Sequence, residues 1–310
     1  MKLRTCTAAA IAVLSSASLA LAWWSQDHPL IAEAAVAALP ADMPEFFRKG
    51  AKTIASYSAD PDLWKEKELP AARAAEGPNH YINPEGLQGR ELPRTRPEYV
   101  KLCRELKTDA DVVGCLPYAL EEGYEKLALA FAEHRKSPED KAVQAKILYL
   151  AGILAHYTGD AEQPLHTTIH HDGRAKPDGT SPKSGIHIKM DALPEKLGLP
   201  PEEIAKGLKA VEAPKDVFTA IQAAIEDSRS RIDRVYELEA KLPDANAAPP
   251  KDVDPDVRKL GLECCRAGAR FTAMLWYAAW VRSAEIKLPE WHKVGVQAPV
   301  PAEPVGAARD

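Results

Sequence analysis

The stretch His156-Tyr157-Thr158-Gly159-Asp160-Ala161-Glu162-Gln163-Pro164-Leu165-His166 decides how this chain reads. His156 and Asp160 are four residues apart, so on a helix their side chains stand one above the other on a single face. Both can therefore address one cation. Pro164 lacks an amide hydrogen and its ring clashes with the preceding turn, so the regular helix ends before it. The turn frees His166 to face a different ion from the first pair. Each of these residues alone would read as an ordinary buried or solvated polar group. The His-to-carboxylate spacing of four recurs, however, in His187-Ile188-Lys189-Met190-Asp191, and Asp60, His80 and His28 lie upstream beside apolar segments. A mixture of imidazole and carboxylate donors favours Zn2+.

Helical patterning dominates outward from this stretch. Residues 29–39 are Ala-rich, 43–57 and 97–106 read as short helices, and 118–134 and 139–157 as longer ones. Residues 214–242 carry apolar side chains at helical spacing behind Pro214, which suits a first turn, and 257–286 form the longest such pattern. In that last segment Phe271, Leu275, Trp276, Ala279 and Trp280 form a stripe whose default reading is core packing. Gly, Pro and Asp cluster over 172–185 and mark a loop between the two ligand-bearing segments. No sustained alternation of apolar and polar residues and no internal repeat is present, so the expected architecture is an all-α, multi-helix domain. His134 and His292, isolated from the other histidines, are expected at the surface, as are His170 and His171 in the polar loop.

At the start, Lys2 and Arg4 precede an apolar, acid-free run ending Leu19-Ala20-Leu21-Ala22. This is the pattern of a secretory signal peptide cleaved after Ala22. The expected organisation is a signal peptide over 1–22, a single hydrolase domain over 23–290, and a disordered Pro- and Ala-rich tail over 291–310, with the protein secreted or periplasmic. Cleavage would leave Trp23 with a free amine that, with its own carbonyl, can chelate a metal. No other segment offers the ~18 apolar residues of a membrane span. A net charge of −5 gives no electrostatic footprint for long polyanions, although bound zinc would reverse the sign locally. Loop length and an oxidising compartment favour a disulfide between Cys103 and Cys115, whereas the adjacent Cys264 and Cys265 could pair only under strain.

In order and rough spacing, Trp23, His28, Asp60, His80, His156, Asp160, His166, His187 and Asp191 resemble the nine-ligand site of the zinc-dependent phospholipase C and single-strand-specific nuclease superfamily. The segments Ser58-Ala59-Asp60-Pro61-Asp62 and Asn79-His80-Tyr81-Ile82-Asn83-Pro84 look like that family too. The resemblance implies an all-α fold with a cleft holding three Zn2+ per chain. It would assign Asp60, His80, His156 and Asp160 to one ion, His166, His187 and Asp191 to a second, and Trp23, His28 and a bridging Asp160 to a third. It also implies Asp60 as the carboxylate that guides the proton from water, with Asp62 as its rival, and Tyr81 as a substrate contact.

The chemistry such a site would serve follows from the substrate bond. A phosphodiester is negatively charged and repels hydroxide, and bulk water is a poor nucleophile at neutral pH. Zinc lowers the pKa of a water it holds from about 15.7 toward ~7, and a pair of ions stabilises the attacking and leaving oxygens of an in-line displacement. The leading expectation is an exported zinc-dependent phosphodiesterase of phospholipase C type, acting on P–O bonds of a phospholipid head group. A single-strand-specific nuclease or 3'-nucleotidase using the same cluster is the alternative. The five residues from Trp23 to His28 fit the nuclease branch better, while Ala192 after Asp191 lacks the amide that branch uses to bind a base. A non-catalytic periplasmic zinc-binding protein is the third reading. No stable protein partner is implied.

Overall fold

The computed structural model describes residues 27–292, so the proposed leader, Trp23 and residues 293–310 lie outside the described residues. Every regular element among the described residues is a helix, and the single β pairing is an isolated bridge between His171 and Gly173. Three long helices form the frame: Leu116–Lys136, Lys141–Ala161 and Pro255–Arg282 pack against one another, and Asp27–Ala35 lies across the last two and against Ala51–Tyr57. None of the described helices is long and apolar enough to cross a membrane.

The Lys141–Ala161 helix starts where the Asp140 carboxylate accepts hydrogen bonds from the amides of Ala142 and Val143, at 2.9 and 3.3 Å. Such a cap satisfies amides that have no partner inside the helix and stabilises it by ~1 kcal/mol. Its first turns bury one stripe, Val143, Ile147 and Ala151, while every residue from Leu154 to Ala161 is buried. A helix apolar on one side for half its length and enclosed on all sides thereafter runs from the surface into the centre. The enclosed end carries His156 and Asp160.

Two contacts fix this helix against the longest one. The Trp276 indole, fully buried, donates to the Ala151 carbonyl at 3.0 Å, and the Thr158 and Thr272 hydroxyls meet at 2.6 Å. Phe271, Leu275, Trp276 and Ala279 are buried in one continuous apolar core, as their spacing suggests. Trp280 is only partly buried, with the Arg135 guanidinium 3.6 Å over its ring. On the other side, a Cβ on Gly152 would lie 2.5 Å from the Tyr57 Cβ and 2.6 Å from the Ile54 carbonyl oxygen. Only a glycine lets the Ala51–Tyr57 helix approach this closely, and that approach brings the Ser58 carbonyl to the ring of His156.

The helices differ from their expected limits in two instructive places. The pattern over 43–57 divides into Glu45–Lys49 and Ala51–Tyr57 at Gly50, whose amide bonds back to the Phe46 and Phe47 carbonyls as a helix end does. The pattern over 214–242 divides into Val217–Arg229 and Ile232–Glu237, and the Arg231 side chain at the break turns inward to meet Glu162 at 3.0 Å.

Candidate metal centre

Separate elements deliver the polar groups that meet at the buried end of the Lys141–Ala161 helix. His28 comes from the first turn of Asp27–Ala35, Asp62 from the short helix Asp60–Leu63, and His80 from the turn Gly77–His80. Pro164 ends the long helix and starts the turn Pro164–Thr167, which carries His166, while His187 and Asp191 share the helix Ile186–Asp191. Gly159 makes room for His28, since a Cβ there would lie 2.8 Å from the His28 Nδ1. The His28 and His156 rings then stack with centroids 3.7 Å apart.

Backbone carbonyls set the ring orientations. His156 Nδ1 lies 2.7 Å from the Ser58 carbonyl, His166 Nδ1 lies 2.8 Å from that of His80, and His187 Nδ1 lies 3.3 Å from that of His171. A carbonyl only accepts, so each Nδ1 carries the proton and each Nε2 turns a lone pair inward, the arrangement typical of metal-binding imidazoles. His80 is reversed. Its Nε2 faces the Glu76 carboxylate at 3.3 Å, longer and less aligned than a full hydrogen bond, and its Nδ1 points inward. Glu76 is itself held by the Tyr157 hydroxyl and by Asn79.

The inward atoms converge in three groups: His80, His156 and Asp160; His166, His187 and Asp191; and His28, Asp62 and His156. In the first, His80 Nδ1 is 2.9 Å from Asp160 Oδ2 and 3.0 Å from His156 Nε2, which is 3.3 Å from the same oxygen. With the protons placed as above, three lone-pair acceptors face one another. They repel unless a cation or an extra proton lies among them. Donors 2.0–2.1 Å from a tetrahedral zinc are separated by roughly 3.3 Å, which these spacings approach. In the second group His187 Nε2 is 3.2 Å from Asp191 Oδ2 and His166 Nε2 is 3.5 Å from Oδ1. Asp160 stands between groups: Oδ2 faces His80 and His156, while Oδ1 lies 3.6 Å from His28 Nε2 and 3.3 Å from His166 Nδ1.

Buried polar groups nearly always have partners, yet both ring nitrogens of His28, Asp160 Oδ1, His166 Nε2, His187 Nε2 and Asp191 Oδ2 are buried here without a hydrogen bond. Apart from His28 Nδ1, which lies against Gly159, these orphans are of ligand type and line the three groups, and they fit divalent cations held by imidazole and carboxylate. The rings differ in how readily they take a second proton. Burial holds His187 down to about 4, against the pull of Asp191 and with help from His166 and His171. His166 goes the other way, to about 9: burial disfavours its charge, but Asp160, Asp191 and the His80 carbonyl outweigh it. Burial likewise works to raise Asp160, and the His156 and His166 rings overcome it and hold that carboxyl well below the usual range.

Of the expected ligands among the described residues, one is not brought to the cluster. Asp60 belongs to none of the three groups, and the carboxylate that reaches the cluster is that of Asp62, whose Oδ1 is 3.8 Å from His156 Nε2 and 4.0 Å from His80 Nδ1. Two positions along a helix are rotated by about 200°, so only one of the two carboxylates can face inward. Lys65, unremarked in the sequence, extends from the same side: its Nζ is 2.7 Å from Asp62 Oδ1 and 3.4 Å from His80 Nδ1. Asp62 and Lys65 side chains retain 15% and 13% of their exposure while Asp160 has none, so the cluster opens on their side.

Other candidates take up structural positions. Tyr81 is half-buried, its hydroxyl donates to the Asp111 carbonyl, and its ring crowds Gly114, so it is fixed in the loop that carries His80. His170 accepts from the Ala175 amide at 2.9 Å, and His171 is partly buried with its ring edge-on to His187, so neither stands free in solvent. His134 is buried, not exposed, because Phe46 and Trp280 close over it. The thiols of Cys103, Cys115, Cys264 and Cys265 are all buried and free, so the expected Cys103–Cys115 bridge is not formed.

No family model matches the sequence, and no curated protein matches it significantly. Among solved structures, the chain is similar to an alpha-toxin of Clostridium perfringens isolated from an avian strain, with 15% identity, a TM-score of 0.44, and coverage of 84% of this chain and 65% of the toxin. It is also similar to an alpha toxin from Clostridium absonum, with 14% identity, a TM-score of 0.42, and coverage of 83% of this chain and 63% of that one. The chain thus spans a little under two thirds of the length of both toxins.

Proposed function

We propose that the chain is an exported zinc-dependent phosphodiesterase of phospholipase C type, hydrolysing P–O ester bonds with a cation-activated water. The observation that carries this reading is the set of buried lone pairs aimed at shared points, His80, His156 and Asp160 above all, within 3.3 Å of one another. Three ions are proposed, the third completed by the amine of Trp23. When bound, they supply Lewis acidity to the phosphoryl oxygen and acidify a water.

The chain's own groups account for the rest. His80, His156 and Asp160 would hold one ion, His166, His187 and Asp191 a second, and His28 with Asp160 or Asp62 the third. Lys65, on the open side, is placed to meet a phosphoryl oxygen with its ammonium, a charge-assisted contact. Asp62, beside it, is the carboxylate in reach of an attacking water's proton, the role first given to Asp60. The tethered ring of Tyr81 speaks against base stacking and so favours the phospholipase reading over the nuclease.

The test is zinc-dependent release of phosphate-containing products from phosphatidylcholine, single-stranded DNA, RNA and a bis-aryl phosphodiester. Turnover of phosphatidylcholine that a chelator abolishes and zinc restores is expected. Activity on nucleic acid alone would replace the reading with a nuclease. A zinc-loaded chain that turns over none of the four would be a binding protein.

A further inference from the structure

Gln163 is fully buried two residues beyond the end of the ligand-bearing helix, and its polar atoms bond to residues of that helix end, of the turn carrying His166 and of the second ligand group. Its side-chain oxygen accepts from the Leu165 amide at 2.6 Å, and its main-chain oxygen accepts from the His166 amide at 2.9 Å. The first of these contacts removes the usual ambiguity of an amide side chain: an N–H must meet the oxygen, so the NH2 end points the other way. There it donates to Asp191 Oδ1 at 2.6 Å.

We propose that Gln163 is a positioning residue for Asp191, selecting which carboxylate oxygen is offered to a cation and tying that choice to the turn that carries His166. A free carboxylate offers two equivalent oxygens and rotates between them. With Oδ1 held by the Gln163 amide and 3.5 Å from His166 Nε2, Oδ2 is the oxygen left without a hydrogen bond, directed at His187 Nε2, 3.2 Å away. One side chain thereby joins ligands from two separate segments, His166 on the turn after the long helix and Asp191 28 positions beyond Gln163. A carboxylate at this position could not serve in the same way, because it has no N–H to give Asp191 and would set two anions against each other.

The inference rests on the zinc reading above, and its test reads metal affinity rather than turnover. Zinc dissociation constants would be measured by chelator competition for the wild-type chain, Gln163→Met, Asp191→Asn and the double variant. Methionine keeps the bulk of the side chain without the two hydrogen bonds, and Gln163→Ala provides a second variant should Gln163→Met not yield folded protein. Loss of an outer contact to a metal ligand costs about 10–100-fold in affinity, so one ion should bind that much more weakly in Gln163→Met while the others are unchanged. In the Asp191→Asn background the same change should add little, because the group it acts through has lost its charge. Wild-type affinity in Gln163→Met and Gln163→Ala, or an equal fold loss in both backgrounds, overturns the positioning role alone. A wild-type chain that takes up no zinc overturns the metal centre itself and this role with it.

Discussion

Replacing Gly152 by alanine sets two ordinary effects against each other, and the structure decides the sign. Helix propensity alone favours alanine over glycine in a helix interior by about 1 kcal/mol. Against it, the new methyl would lie 2.5 Å from the Tyr57 Cβ and 2.6 Å from the Ile54 carbonyl oxygen. Carbon atoms pack best at about 3.5–4.0 Å, so the two helices must part by about 1 Å. Overpacking a filled core costs about 1–3 kcal/mol, and the upper end applies because the opposing atoms belong to or adjoin the main chain. The balance is a loss of about 2 kcal/mol, or roughly 4–8 °C in Tm for a domain near this size. The same displacement draws the Ser58 carbonyl away from His156 Nδ1, now at 2.7 Å, so zinc retention should fall as well. Thermal unfolding of the metal-free protein, followed by circular dichroism, measures the first effect separately from the second. A Tm unchanged or raised by the 2–4 °C that propensity alone would give refutes the close approach.

At the mouth of the centre, Asp62→Asn should lower zinc-dependent turnover by at least tenfold while Asp60→Asn leaves it near wild type; the reverse order in a steady-state assay would restore Asp60 to the site. Asp160→Asn should cost more activity and more bound metal than Asp191→Asn, because Asp160 faces ligands of more than one group; equal losses by kinetics and elemental analysis would count against that shared role. The last expectation concerns alkaline stability. Burial pushes the Cys264 thiol up to about 12, from an ordinary value near 9 in the unfolded chain. The stability this contributes is fully present below pH 9 and is lost as pH rises toward 12, at up to about 1.4 kcal/mol per pH unit. Urea unfolding at pH 8, 9.5 and 10.5 should therefore show a steeper decline for the wild-type chain than for Cys264→Ala, and parallel slopes would disprove it.

Much of the site was legible because it depends on short-range spacing. His156 and Asp160, and His187 and Asp191, are pairs whose common face follows from helix geometry once the segments are helical. Asp60 against Asp62 was not legible, since both flank Pro61 in a four-residue helix and only the packing of that helix determines which one turns inward. Lys65 and Gln163 escaped notice for a related reason: neither residue type signals a metal centre, and their roles arise from neighbours far away in sequence. His134 fails the opposite way, a histidine without polar company that Phe46 and Trp280 nonetheless enclose. The helical class was evident throughout, but the interruptions at Gly50 and Arg231 were not, because apolar periodicity runs across them and the Arg231 contact with Glu162 exists only in three dimensions.

The Thr158–Thr272 and Trp276–Ala151 contacts hold the ligand-bearing helix to its longest neighbour by groups that no cation touches. The frame that presents His156 and Asp160 is thereby joined by bonds that lie outside the proposed centre. Stripped of any metal, the chain should keep these two helices together, so that a cation would enter a receptacle already built.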